Sequence, residues 1–374
     1  MLSNFREDKQ MSMLRFGGLL NSKHRGNPRF ELEECYPQPF FSKISPGKRG
    51  KKWAAYLDKY LLFPKKIKHK LQCLSKPIDL VHIIDHSNSV YLPQLKKISQ
   101  AKKMITCHDL IAIRTARGEF DQAPQTSKSG KRLQRWIHNS LDHADYYACD
   151  SMQTKKDLDR LVPRSRLKSS VLHLGTETNF PATEKQRPSF DKLPFNPSKT
   201  NYLLHVGSAA WYKNRKAVYK AFRNASEKST KLDLKLILVG PKPQDAELDT
   251  GISHWFQSHP NSVICLNNLS ENSLGELYKH TKALVFPSHI EGFGWPPLEA
   301  AVHGCSVITT RTGAISDLLR DYAHYIDADV QASIDQAVLK ALQSPDQKNV
   351  PISLPNHEDC RARYYDLYDQ VINN

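Results

Sequence analysis

The chain has 374 residues, 39% of them hydrophobic and 25% charged, with a net charge of +16. That length exceeds one ordinary core and predicts two domains, and the composition excludes a disordered or fibrous chain. No apolar run approaches the ~18 residues a membrane-spanning helix requires, and the opening residues lack the apolar core of a secretion signal. The charge is unevenly placed. Residues 1–186 hold 34 Lys and Arg against 18 Asp and Glu, whereas residues 187–374 hold 20 of each. A one-sided basic field implies an anionic partner. The seven cysteines are scattered with no Cys-x-x-Cys pair, as expected of reduced thiols in a cytosol rather than a disulfide frame or zinc site.

In chain order, a helix is expected over residues 11–20 and a strand over 31–36, which leaves only a few polar residues for any strand before them. Basic clusters follow at Lys48-Arg49-Gly50-Lys51-Lys52 and Lys65-Lys66-Ile67-Lys68-His69-Lys70. Between them lie Trp53, Tyr56, Tyr60, Leu61, Leu62 and Phe63, most of them expected in the core. Short apolar runs ending in polar or glycine turns predict strands at 78–84, 103–107, 146–148, 170–174, 202–206, 234–239, 262–266, 283–286 and 306–310. Helical stretches at 132–143, 151–162, 214–226, 272–279 and 297–303 alternate with many of them, which argues for parallel α/β sheets. Ser151 is placed to cap the second of these helices. Prolines at 181, 188, 194 and 197 mark a connection over 181–199. Cys360, Tyr364, Leu367, Tyr368 and Val371 recur every three or four positions, giving an amphipathic helix in the tail.

The most informative stretch is His-Ile-Glu-Gly-Phe-Gly-Trp-Pro-Pro-Leu-Glu-Ala at 289–300, after the apolar run 283–286. Gly292 and Gly294 carry no Cβ, so the loop backbone can approach a ligand. Pro296 and Pro297 suit a first helical turn. Strand, glycine loop and helix start would aim N–H groups and a dipole end at an anion such as phosphate. The flanking carboxylates Glu291 and Glu299 can each accept two hydroxyl hydrogen bonds, as recognition of a sugar diol requires. Phosphate and diol recognition together point to a sugar nucleotide.

The string Glu291, Gly292, Phe293, Gly294, Pro297, Glu299, Ala300 resembles the motif of the retaining glycosyltransferases of family 4, a group 1 glycosyl transferase class. The resemblance implies an α/β chain of GT-B fold: two facing Rossmann-like, doubly wound domains with a cleft between them. It divides the chain into an acceptor-binding domain over 1–185, its first strand in doubt, and a donor-binding domain over 186–355. The helix over 356–374 would cross back to the first domain. Lys213 matches the family's diphosphate lysine. The partner arginine is absent, since Ser208, Ala209 and Ala210 occupy its place, and Arg215 is the candidate substitute.

By the same resemblance Gly207, Ser208, Lys213, Asn214, Gly292, Phe293, Gly294 and Glu299 bind the donor, with Glu299 on the ribose. Glu291, Lys213 and His108 form the catalytic set, His108 touching the donor sugar from the His-Asp-Leu element at 108–110. Asp85, His86 and Asp109 are weaker acceptor candidates at strand ends. The turn Thr310-Arg311-Thr312-Gly313 would border the nucleotide. No metal or other cofactor is implied, and the residues show no metal-ligand spacing.

The activity implied is transfer of a hexosyl unit from a nucleoside diphosphate sugar, with retained configuration, to a glycan or lipid-linked acceptor in polysaccharide or lipopolysaccharide synthesis. The setting would be cytoplasmic, peripheral on the inner membrane face, with an anionic membrane surface as a partner. Alternative readings are a GT-B relative acting as a sugar-nucleotide epimerase or hydrolase, an inactive homologue, and a basic nucleic-acid-binding protein. The last rests on charge alone, without a helix-turn-helix or RNP-type aromatic signature.

Overall fold

A computed structural model of the protein describes residues 1–8, 10–21, 30–73, 75–176, 193–343 and 354–374. Main-chain contacts divide the chain into two compact units. Unit 1 comprises Met1–Asp121, Gln125–Leu174 and His357–Asn374; unit 2 comprises Gln122–Pro124 and Gly175–Asn356.

Unit 1 contains a parallel sheet in the order β1 (Leu80–Ile83), β2 (Lys102–Cys107), β3 (Tyr146–Cys149) and β4 (Ser169–Val171). Its central strands are buried on both faces, as Met104, Ile105, Tyr147 and Cys149 show, which is why they read as unbroken apolar runs. Ahead of β1 the sheet continues through Leu2. Its N–H donates to His82 O at 2.7 Å, and its carbonyl accepts from Ile84 N at 3.1 Å. Leu2 also bridges Cys35. The first strand is therefore a stub.

The strand expected over 31–36 is corrected to a single bridging residue, Cys35. The helix Met11–Leu20 forms where the apolar spacing placed it. The last helix, His357–Asn373, packs on this sheet. Its Tyr368 hydroxyl lies 2.7 Å from His82 Nδ1, and His82 Nε2 lies 2.8 Å from Thr106 Oγ1. Burial holds His82 neutral, so one ring nitrogen donates and the other accepts.

Unit 2 has a six-stranded parallel sheet, in the order β10-β9-β8-β5-β6-β7. The strands are β5 (Asn201–Val206), β6 (Leu234–Val239), β7 (Val263–Leu266), β8 (Ala283–Phe286), β9 (Val307–Thr309) and β10 (His324–Tyr325). From β5 the chain adds β6 and β7 on one side, then returns to add β8, β9 and β10 on the other. The order in which strands are added thus reverses between β5 and β8, where ligands of doubly wound sheets bind beyond the carboxyl ends. Strand β10 and the helices Thr250–Ser258 and Gln331–Gln343 were not anticipated.

Most of the 181–199 connection, with residues 344–353, lies outside the described residues; its end forms a short turn, Pro197–Lys199. Among the described residues no helix is long and apolar enough to cross a membrane.

Candidate donor site

Two loops leave adjacent strands at the switch point of unit 2. One follows β5 and runs through a turn at Trp211–Lys213 to Asn214, which takes the left-handed conformation (φ +50°) before the helix Arg215–Lys228. Asparagine tolerates that conformation better than most residues. The other loop follows β8 and ends at Gly294 (φ +91°), which opens the helix Trp295–Val302 with Pro296 in its first turn. The loops are tied together where His289 N–H donates to Tyr212 O at 2.8 Å.

Lys213 and Glu291 meet there. Nζ lies 2.8 Å from Oε1 and 3.0 Å from Oε2, a two-oxygen ion pair in which Glu291 is buried and Lys213 keeps a little of its side chain exposed. The ammonium also lies 4.8 Å from the centre of the Phe286 ring. Glu291 is held from behind, its N–H donating to Thr312 Oγ1 at 3.0 Å. Glu299 accepts from the Tyr278 hydroxyl at 3.1 Å. The helix begins at Trp295, earlier than expected, so Glu299 sits in its second turn.

The glycines act differently from the expectation. A Cβ on Gly294 would come within 2.5 Å of Ile315 Cγ1, so this glycine serves packing as well as its positive φ. Gly313 (φ +61°) is needed because a Cβ there would meet Gly292 O at 2.9 Å. Sequence reasoning missed Gly240 (φ +149°): a Cβ there would lie 2.1 Å from Gly207 O, so the loops after β5 and β6 touch only because it has none. His205 beneath Gly207 was also missed. Its Nδ1 donates to Val285 O at 2.9 Å, and burial lowers it to about 3, so it is neutral.

The other residues of the expected donor set sit in varied surroundings. Asn214 Nδ2 donates to Ala328 O at 2.9 Å, so this amide anchors its own loop. Arg215 is buried; its Nη2 donates to Pro241 O at 2.8 Å and its Nε lies 3.4 Å from Glu247 Oε1. It braces the turn after β6 rather than joining Lys213 as a second clamp cation. Ser208 is exposed, and Phe293 is buried with its carbonyl accepting from Ala314 N.

In unit 1, His108 and Asp150 follow the registered pair Cys107↔Cys149 of β2 and β3, which sets the two side chains next to each other. His108 Nδ1 lies 2.6 Å from Asp150 Oδ2, and Nε2 lies 2.8 Å from Ile84 O. Both partners are acceptors, so both nitrogens must carry protons. Burial pulls the imidazole pKa down, but Asp150 and then Asp85 oppose it, and the net result is a rise to about 9. Burial raises the Asp150 carboxyl, with the imidazolium opposing that rise. In this conformation both ring nitrogens of His108 are engaged by acceptors of the protein.

Asp85 is also committed, accepting from Ser87 N at 2.9 Å and Ser87 Oγ at 2.7 Å as the cap of a short helix. His86 lies 3.3 Å from it, and Asp109 caps the next turn through Ile111 N at 3.0 Å. These three expected acceptor residues serve as local caps or cap partners. Ser151 caps its helix as expected, accepting from Thr154 N at 3.1 Å.

Residues 186–353, most of unit 2, match the family model described as glycosyl transferases group 1. That match takes in the Glu291–Glu299 string and agrees with the resemblance the string carries. The chain is 25% identical over 263 residues to the serotype-specific mannosyltransferase WbdA of Escherichia coli, covering 66% of this chain and 30% of WbdA. It is 29% identical over 177 residues to the O-antigen chain mannosyltransferase RfbU of Salmonella typhimurium, covering 47% of each. The chain therefore spans under half the length of either relative.

Among solved structures, sucrose-phosphate synthase of Thermosynechococcus elongatus aligns with 98% of this chain and 94% of its own, at a TM-score of 0.72 and 17% identity. A trehalose-phosphate synthase of Burkholderia vietnamiensis aligns over 89% and 79%, at 0.60 and 12%. The fold class is GT-B.

Proposed function

We propose that the protein is a retaining glycosyltransferase that moves a hexosyl unit from a nucleoside diphosphate sugar to a glycan or lipid-linked acceptor in cell-surface polysaccharide synthesis. The observation that carries this reading is the Lys213–Glu291 pair at the β5/β8 switch point, with Glu299 one helical segment beyond. Mannosyl is the first unit to test, because WbdA and RfbU are mannosyltransferases by name.

In this reading the donor parts the ion pair. Its diphosphate takes Lys213, and its sugar hydroxyls take the carboxylate of Glu291. Glu299 accepts from the ribose hydroxyls while Tyr278 keeps it oriented. The bond from the anomeric carbon to the diphosphate oxygen breaks, and the bond to the acceptor oxygen forms on the same face. The acceptor proton leaves with the diphosphate. Lys213 stabilises the charge that builds on the leaving group, the point at which a fixed cation contributes most. The reading assigns no metal to the reaction.

The test is a melting-temperature panel of UDP-, GDP-, ADP- and dTDP-sugars, because a ligand bound only to the native state raises its melting point. Turnover with and without an acceptor extract follows for the nucleotide that binds. Stabilisation by one nucleotide class with acceptor-dependent release of nucleotide is expected. Release without acceptor would identify a hydrolase or epimerase instead, and no stabilisation by any member would overturn the donor site.

A further inference from the structure

Unit 1 carries a basic and apolar face separate from the donor site. Residues 47–72 run as one helical segment: Gly47–Leu57, a π turn at Asp58–Leu62, then Phe63–Gln72. Its one acid, Asp58, is turned inward, accepting from Phe41 N at 2.8 Å, Ser42 N at 3.0 Å and Ser42 Oγ at 2.6 Å. Those hydrogen bonds outweigh the effect of burial and hold its carboxyl below the usual range. The outward side of the segment itself carries no acid, although Lys59 pairs with Asp8 and Lys70 with Glu33 from neighbouring stretches.

Apolar groups stand out on it. Trp53, Leu57 and Leu61, four residues apart in turn, are 69%, 45% and 49% exposed. This corrects the expectation that Trp53 and Leu61 fill the core, although Phe63 does. On the neighbouring turn Phe41–Ile44, the preceding Phe40 and the terminal Ile44 are also exposed. Trp53 lies 5.8 Å from Tyr56, Tyr56 stacks at 5.7 Å on Tyr60, and Tyr60 lies 5.3 Å from Trp136. That row of rings joins the segment to the helix Lys128–Leu141, on which Trp136 is exposed. The three α-helices Gly47–Leu57, Phe63–Gln72 and Lys128–Leu141 hold twelve Lys and Arg and no Asp or Glu.

A polyanion such as nucleic acid would take the charge but leave Trp53, Leu57, Leu61 and Ile44 in water. An anionic bilayer takes both. Indole rings partition to the headgroup level, and lysines pair with anionic headgroups while their stems lie along apolar surface. We infer that this face docks on the anionic surface of a lipid bilayer, with Trp53 and Trp136 seated among the headgroups.

Co-sedimentation with vesicles of phosphatidylcholine alone, or with added phosphatidylglycerol, tests this on the full chain. Binding to the anionic vesicles only, released by salt as the screening length shortens, is expected. The triple variant Lys51→Glu, Lys131→Glu, Arg135→Glu should weaken it by about tenfold or more. Trp53→Ala with Trp136→Ala should weaken it severalfold, while Lys228→Glu with Lys231→Glu on unit 2 should leave it unchanged. Nucleotide-sugar binding by all these variants should match the native protein, so failure here is distinct from failure of the donor site. Equal binding to both vesicle types, an equal effect from the unit 2 pair, or binding insensitive to the tryptophans and competed by duplex DNA would each overturn the inference.

Discussion

Both units bring a cation and a carboxylate together beyond the ends of neighbouring parallel strands, and the two pairs differ in what surrounds them. In unit 1, His108 and Asp150 are almost fully buried, and both imidazole nitrogens face acceptors of the protein. In unit 2, Glu291 is about as buried as His108, but Lys213 keeps 13% of its side chain exposed, and the pair lies between loops fixed by backbone and glycine contacts. A buried, saturated pair can only be broken, at the cost of a stranded charge. A pair whose ammonium side chain reaches solvent between two loops can be exchanged, oxygen for oxygen and cation for phosphate. The first is a brace and the second a site.

The largest effect should come from breaking the brace. His108→Asn leaves Asp150 buried without its imidazolium and should cost unit 1 about 3–5 kcal/mol, read by chemical denaturation, while nucleotide affinity changes little. A stability loss below 1 kcal/mol, or abolished donor binding in folded protein, would make His108 part of the site after all.

Opening the exchangeable pair should act on turnover instead. Lys213→Ala is expected to lower kcat by on the order of 100-fold at saturating donor, with stability near native. Native turnover would pass the leaving-group role to another cation.

Glu299→Gln keeps the Tyr278 contact but removes the charge. Donor affinity should fall by about 1.5–3 kcal/mol by calorimetry, and an unchanged Kd would remove Glu299 from the ribose.

The smallest effect is on pH dependence. His108 is held at about 9, against 6.5 for an ordinary histidine. The stability it confers is therefore complete below pH 6.5 and is lost as pH rises through 9. Melting temperatures across that window should decline in the native chain and decline less in His108→Asn; parallel curves would show that the proton is not there.

Several elements that are set locally stand where the sequence put them, although the strand expected over 31–36 does not. Strands β6 and β8 stand at their expected residues, because a doubly buried strand is a continuous apolar run bounded by turns. The helix Met11–Leu20 and the cap at Ser151 are set by spacing and by one side chain reaching its own backbone. The Glu291–Glu299 string was legible because its glycines, prolines and carboxylates are contiguous.

The rest depends on register and on distance along the chain. Asp150 becomes the partner of His108 only because β2 and β3 align Cys107 with Cys149. Glu291 meets Lys213 across 78 positions because β5 and β8 are neighbours. Gly240 is required by Gly207, a contact made only once β5 and β6 pair. Asp58 turns inward while Trp53 and Leu61 turn outward because Phe41 and Ser42 supply the N–H groups that hold the carboxylate. Sequence by itself determined which groups were available and which local conformations they favour. Only the tertiary structure decided which partners satisfied them, since a buried hydrogen-bonding group takes whichever partner the packed chain brings within about 3 Å.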